Sequence, residues 1–417
     1  MKVFKFGGAS VKDAAGVRNV AEVLKHFALD DLLIVVSAMG KTTNALEEVV
    51  WGYVDGRPVQ DKLIPLRASH LAILAEVAPD DVAAAAELIH YSDRLNTFLG
   101  TPPSGDVDRD YDHIVAYGEL WSTLIVSAHL RQAGIANKWL DARRIVSTYD
   151  HFRAAKVRWD KLEENCATHI PSFDSSPKRI VTQGFIGSTD DGLTTTLGRE
   201  GSDFSAAIFA YALGCESVTI WKDVPGMFNA DPKLFPDTAL LSHISYREAI
   251  ELSYFGASVI HPRTLQPLQK KSIPLYVRSF VDLAAPGTTI DHHSENDSLI
   301  PSFIVKPRQL LISITPRDLS FVVEENLSGI FRLFAQRNVR IDLMQNSALA
   351  FSVAVDDTPR SRQLINELGA DYEVRYNEGC ELVTVRHFDE ATLQRLTAGR
   401  EVLIEQRSRV TARFVLK

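Results

Sequence analysis

The chain has 417 residues, 45% of them hydrophobic and 24% charged, with a formal net charge of -8. That length accommodates two or three domains, and the composition is that of a soluble globular protein. The acidic balance argues against a nucleic-acid partner bound through its phosphates, and apolar runs of about five residues fall far short of the ~18 that a membrane span needs.

Cys166, Cys215 and Cys380 are widely separated with no CxxC, which fits a reducing cytosol. The opening MKVFKFGGAS has no apolar core of signal-peptide length, so a cytoplasmic protein is expected. Val3 to Phe6 reads as a strand and Gly7-Gly8 as a turn; Val17, Val20, Ala21 and Leu24 then share one helical face. LLIVV, Leu32 to Val36, is a second strand whose unbroken apolar character suits a parallel sheet covered on both faces. Alanine-rich helical segments lie between Leu63 and Leu99, and TPPSGDVDRDYD reads as a loop. A helix near Glu119 to Ala133 precedes short strands at Ala136 to Leu140 and Arg179 to Thr182. The Gly-rich stretch QGFIGSTDDGLTTTLGREGSD leads into a helix, Phe204 to Leu213, and a strand, Ser217 to Trp221. Strands alternating with helices predict an α/β domain, a mainly parallel central sheet flanked by helices, over residues 1–291. Polar HHSENDSLIPS opens an expected linker over 292–307.

The tail changes character. LLISITP, LSGIFRLFAQRN, VRIDLMQNS, AFSVAVD, SRQLINELG and ADYEVRYN read as βαββαβ, the ferredoxin-like order, over 308–377. CELVTVRHF, DEATLQRLTAG and EVLIEQRSRVTARFVLK read as βαββ, a shortened second copy over 378–417.

Gly40-Lys41-Thr42 looks like the end of a P-loop, but the Gly needed five residues earlier is Val35, so the backbone cannot wrap a phosphate there. Three other stretches are better suited to phosphate. Lys5 stands at a strand end before Gly7-Gly8, which let a ligand approach the backbone, and the next helix would aim its N-terminus at the same place. In TLGREGSD, Arg199 carries the fork that grips carboxylate or phosphate, beside Asp203, which could equally be a helix cap. WKDVPGMFNADPK lies at a strand's carboxyl end, where open α/β sheets bind ligands.

In order along the chain, KFGGAS, VVSAMGKTTN, AYGELWS, TLGREGSD, WKDVPGMFNADPK and FGASVIHPRTL resemble the aspartate kinase family of the amino-acid kinase superfamily, whose signature reads K-F-G-G-[ST]-S. The resemblance covers almost the whole chain, with the tail similar to tandem ACT modules. It implies transfer of the γ-phosphate of ATP to the β-carboxylate of L-aspartate, the first step toward lysine, threonine and methionine, with ATP and Mg²⁺ as cofactors and no separate metal-binding residues. The substrate carboxylate is already a nucleophile, so positioning and charge neutralisation would carry catalysis. The resemblance assigns Lys5 to the phosphoryl group in flight and Asp203 to holding Lys5. Arg199 would take the substrate α-carboxylate and Glu119 its ammonium, with Ser37, Thr43, Gly201 and Ser202 beside the amino acid. Gly7, Gly8 and Ser10 would line the phosphates, and Lys222, Asp223, Phe228 and Lys233 the nucleotide.

Three residues depart from the pattern: Ala9 replaces a hydroxyl residue, Ser258 a lysine aimed at ATP, and Lys222 a threonine, so Lys222 is expected to restore the charge lost at Ser258. In the tail, Asp342, Asn346 and Ser347 are candidate effector contacts facing the loop Asp318 to Ser328. Ala348 stands where lysine-sensing members often carry Glu. Such modules imply a homodimer and an amino-acid effector. With its last residue at Lys417, no fused dehydrogenase is expected. A glutamate 5-kinase would share the ATP loops, but the ACT-like tail and the Arg199–Glu119 pair argue against it. A degenerate kinase used as an amino-acid sensor would explain Ala9 and Ser258 but not the presence of Lys5, Arg199 and Asp203 together.

Overall fold

The structure is a computed structural model that describes residues 1–27, 30–170, 178–257, 260–318 and 320–417. The chain divides into two compact units. The first holds Met1–Met227 and later segments up to Ser294; the second holds Phe228–Ala239, a short stretch from Glu251, and Glu295–Lys417.

The first unit contains strands β1 (Lys2–Phe6), β2 (Leu32–Val36), β3 (Lys138–Leu140), β4 (Arg179–Gln183), β5 (Ile186–Ser188), β6 (Thr194–Thr196), β7 (Val218–Lys222), β8 (His243–Ser245), β9 (Leu275–Ser279) and β10 (Thr288–Asp291). Among the described residues, eight of them form one sheet in the order β3-β4-β2-β1-β7-β9-β10-β8. Its pairs are parallel except β9 with β10, and β5 and β6 make a separate antiparallel hairpin. Flanking helices include α1 (Ala14–Lys25), α2 (Thr42–Val54), α3 (Gln60–Val77), α4 (Val82–Leu99), α5 (Val107–Gln132), α6 (Trp159–His169) and α7 (Gly201–Leu213). All five residues of LLIVV are fully buried, as a central parallel strand covered on both faces requires. Because β1, β2, β4 and β7 run in parallel, their carboxyl ends meet along one edge of the sheet.

Two local expectations are corrected. TPPSGDVDRDYD is not a loop throughout: α5 begins at Val107, with the Asp106 side chain accepting the N–H groups of Asp108 and Arg109, both at 3.1 Å. Asp108 and Asp110 complement the positive helix start, so the acidic run is helix-opening chemistry. Nor does α1 present an open N-terminus to Gly7-Gly8. A 3-10 turn, Gly8–Val11, intervenes, and Asp13 caps α1 by accepting the Gly16 N–H at 2.8 Å.

The second unit carries β11 (Ser302–Pro316), β12 (Leu343–Asn346), β13 (Phe351–Asp356), β14 (Tyr372–Arg386), β15 (Val402–Arg407) and β16 (Thr411–Leu416) in one antiparallel sheet, order β12-β13-β11-β14-β16-β15. β11 and β14 are 15 residues each and serve two modules. Gln309–Pro316 pairs with Tyr372–Cys380 inside the first βαββαβ module. Ser302–Lys306 pairs with Leu382–Arg386, where it supplies a strand to the second. The βαββ copy looked shortened in sequence because its missing strand lies upstream, within the stretch expected to be linker. The core of the first module centres on Ile312, Ile330, Phe334 and Leu364, that of the second on Val385, Leu393 and Phe414.

Candidate active site

In the first unit, the strand ends of β1, β2 and β7 and the start of α7 enclose a cavity of about 540 Å³, the size of a small-molecule site. Lys5, next to last in β1, places its Nζ 2.6 Å from Asp203 Oδ1, with side-chain exposures of 11% and 5%. Asp203 lies in the first turn of α7, whose N-cap is Glu200. Of the two readings of Asp203, helix cap or partner of Lys5, the structure shows the ion pair, with Glu200 at the N-cap position.

Glu119 enters from α5 and is buried. Its Oε1 accepts the Ala38 N–H at 3.3 Å, and its Oε2 finds no hydrogen-bond partner among the described residues. Burial pushes this carboxyl up to about 8, against the pull of the Ala38 N–H and the Lys5 charge. A buried acid perturbed in this way beside a cavity marks a candidate functional group.

The glycines explain how the two loops meet. A Cβ on Gly8 would lie 2.7 Å from the Ala38 carbonyl oxygen, and the Gly40 N–H donates to the Gly8 carbonyl at 3.1 Å. KFGG and SAMG therefore pack backbone against backbone, which only a residue without a side chain permits. Lys41 is exposed at the N-cap of α2, away from the role of a P-loop lysine.

Three of the seven left-handed non-glycine residues among the described residues border this cavity. Arg153 (φ 62°), Phe185 (φ 67°) and Glu200 (φ 54°) are non-glycine residues in the left-handed region, and all three line it. Each such residue costs on the order of 1–3 kcal/mol and persists where the surroundings over-determine it, typically at functional sites.

A family model described as the amino acid kinase family matches residues 1–279. Lysine-sensitive aspartokinase 3 of Escherichia coli (strain K12) is 32% identical over 393 residues, spanning 92% of this chain and 86% of that relative. The chain belongs to the aspartokinases, within the amino acid kinase family. Solved aspartokinases agree with this. E. coli aspartokinase III in complex with lysine and aspartate has a TM-score of 0.84 at 28% identity, covering 100% of this chain and 95% of that one. The same enzyme with aspartate and ADP has a TM-score of 0.80 at 28% identity, covering 100% and 96%. The chain is an ATP-dependent aspartate kinase, an enzyme of amino-acid biosynthesis.

Ten of the expected residues line the aspartokinase cavity: Lys5, Gly8, Ser37, Thr43, Glu119, Arg199, Gly201, Ser202, Asp203 and Lys222. Gly7 sits beside Lys5, where an added Cβ would be 3.3 Å from Nζ. Ser10 is buried, and its Oγ finds no partner among the described residues. Asp223 is exposed in the loop after β7, while Phe228 and Lys233 fall on Phe228–Ala239, a segment of the second unit. Ser258 lies outside the described residues.

Sequence reasoning missed Tyr111, Arg153, Phe185 and Glu200 in the lining. Asp106 before an acidic turn could have shown that Tyr111 is helical; nothing in HFRAAK marks Arg153. Away from the cavity, His243 Nε2 and His293 Nδ1 share Asp291 Oδ1 at 2.9 and 3.1 Å, a hydrogen-bonded turn that the His293 N–H joins at 2.8 Å.

In the second unit Asp342 is buried against Lys306, at 2.7 Å. Asn346 and Ser347 are exposed. The Ala348 carbonyl accepts the Val322 N–H at 2.9 Å, joining their turn to the loop expected to face it. No helix among the described residues is long and apolar enough to cross a membrane.

Proposed function

We propose that the cavity of the first unit is where L-aspartate accepts the γ-phosphoryl group of ATP. The observation that carries this reading is the buried Lys5–Asp203 pair opening onto the same cavity as the buried, proton-holding Glu119. Lys5 neutralises the phosphoryl group in flight, and Asp203 fixes Lys5. Arg199 takes the substrate α-carboxylate and Glu119 its α-ammonium, which selects a free amino acid. Ser37, Thr43, Gly201 and Ser202 shape the amino-acid side. Gly7, Gly8 and Ser10 line the phosphates, and Lys222, Asp223, Phe228 and Lys233 serve the nucleotide. The aspartate carboxylate attacks the γ-phosphorus as the bond to the ADP oxygen breaks; no proton need move, so orientation and charge dominate.

Mg²⁺ suits this donor set. The lining as described offers carboxylate and hydroxyl oxygens and neither thiol nor imidazole, and Mg²⁺ takes one or two carboxylates plus substrate phosphates. Asp203 would hold it. Bound there, the ion would neutralise phosphate charge.

The tail is read as an amino-acid-sensing element that also pairs two copies of the chain into a homodimer, with Asn346 and Ser347 as effector contacts and Asp342 behind them. The enzyme is read as cytoplasmic. A hydroxamate-trapping assay with ATP and Mg²⁺ tests the reading. Aspartyl hydroxamate should form from L-aspartate and not from L-glutamate, and lysine, threonine or methionine should reveal any effector. No acyl phosphate from folded protein would sink it.

A further inference from the structure

We propose that Arg153 is a specificity residue of this cavity: a second guanidinium, besides Arg199, that binds a carboxylate of the amino-acid substrate. The proposal rests on the reading that the cavity receives L-aspartate.

Its backbone supplies the first argument. Arg153 is left-handed at φ 62°, a conformation that glycine takes freely and arginine takes under strain. Such a residue stays in place only when neighbours hold it, and two do so on opposite sides of its backbone. The Arg153 N–H donates to Asp112 Oδ2 at 2.9 Å. Asp112 is fully buried and also receives the N–H and hydroxyl of Thr196 at 2.7 and 2.6 Å, so it ties α5, the Arg153 loop and β6 together. On the other side the Arg153 carbonyl faces Gly198, where a Cβ would stand 3.0 Å from that oxygen. Gly198 is itself left-handed at φ 77° and directly precedes Arg199, so the backbone that presents one arginine rests on the loop that presents the other.

The side chain supplies the second argument. The Arg153 guanidinium carbon lies 4.2 Å from the centre of the Tyr111 ring, a cation–π seat that fixes the plane of the fork. Tyr111 is in turn anchored by donating its hydroxyl to Glu47 Oε1 at 2.5 Å. The ion pair that Arg153 makes among the described residues is with Asp108, at 3.5 Å, with side-chain exposures of 42% and 57%. So long and screened a contact leaves most of the five N–H donors for a ligand. A braced arginine with spare donors, lining the same cavity as Lys5 and Arg199, is placed to bind a carboxylate.

The test uses the full chain and the variants Arg153→Gly and Arg153→Lys, with steady-state kinetics and thermal denaturation. Glycine suits the backbone, so Arg153→Gly should melt no lower than the parent. Its KM for aspartate should rise about tenfold, the size of one charge-assisted hydrogen bond. Its kcat and its KM for ATP should stay within about twofold, the pattern of lost ground-state binding. Arg153→Lys should recover part of the affinity. An unchanged aspartate KM in Arg153→Gly, a shift in the ATP KM in its place, or a fall in kcat alone would overturn the proposal. So would a rise in aspartate KM accompanied by a lower melting temperature in both variants, which would mark a structural role. If the parent makes no aspartyl hydroxamate, the reading of the cavity fails; if the parent is active and Arg153→Gly matches it, only this inference fails.

Discussion

Each unit contains a lysine paired with a buried aspartate, and the two pairs differ in what surrounds them. Lys5 and Asp203 are 2.6 Å apart in the first unit, Lys306 and Asp342 2.7 Å apart in the second. The second pair is bordered by other protein groups, although the Lys306 side chain is itself 20% exposed. Arg340 Nε approaches Asp342 Oδ1 at 3.6 Å, the Asp342 N–H donates to the Ala354 carbonyl at 2.9 Å, and Arg413 Nη2 donates to the Asp342 carbonyl at 2.6 Å. The first pair opens onto about 540 Å³ of cavity that also holds Glu119 and Arg199. The separation of the charges alone does not tell the two pairs apart. What separates them is whether space and unmatched charge lie beside the pair.

Breaking each pair should expose that difference. Lys5→Ala should lower kcat on the order of a thousandfold, the upper range for losing a preorganised charge at the reacting group; single-turnover phosphoryl transfer would measure it. Asp342→Ala should lower unfolding free energy by about 3 kcal/mol through the stranded Lys306, read from a denaturant midpoint, and leave kcat within about twofold. A catalytic loss as large as that of Lys5→Ala would erase the distinction.

Glu119 sharpens the comparison because it is a buried acid facing the cavity with no ion pair among the described residues. Its folded carboxyl, at about 8, lies above its ordinary value of 4.5, so between these values the folded state holds a proton that the unfolded chain releases. The contribution of Glu119 to apo stability is therefore present at low pH and is lost as pH rises toward about 8. Aspartate binding should follow the opposite course, since its ammonium needs the carboxylate. The aspartate KM should fall as pH approaches about 8. Glu119→Gln should flatten that profile and raise the aspartate KM about tenfold. The smallest effect is expected at half-buried Lys222, where alanine should raise the ATP KM by about fivefold or less, the worth of a solvent-screened pair; wild-type kinetics would remove Lys222 from the nucleotide side.

The parts of the molecule that were legible in the sequence are those whose cause is local. LLIVV reads as a central strand because five consecutive apolar side chains need cover on both faces. KFGG and TLGREGSD carry their charges and glycines adjacent in sequence, so the cavity's Lys5, Arg199 and Asp203 could be picked out. The start of α5 was hidden because DVDRDYD is polar enough for a loop, and only its cap chemistry marks a helix. Arg153, Phe185 and Glu200 were invisible, since their left-handed backbones are imposed by neighbours distant in sequence. The strand at Ser302–Lys306 looked like linker because its partner, Leu382–Arg386, lies beyond a whole intervening module.

That last arrangement bears on how the chain folds. On the ribosome, Ser302–Lys306 emerges well before the segment that covers one of its edges, and the intervening module can close first from contacts nearer in sequence. Until Leu382–Arg386 arrives, the early half of β11 is an unpaired edge, the feature that templates pairing with another chain. β16 then joins the far side of β14, with Thr411 opposite the same Arg386 that faces Ser302. A chain lacking Leu382–Arg386 would leave that edge bare and open to pairing with another copy.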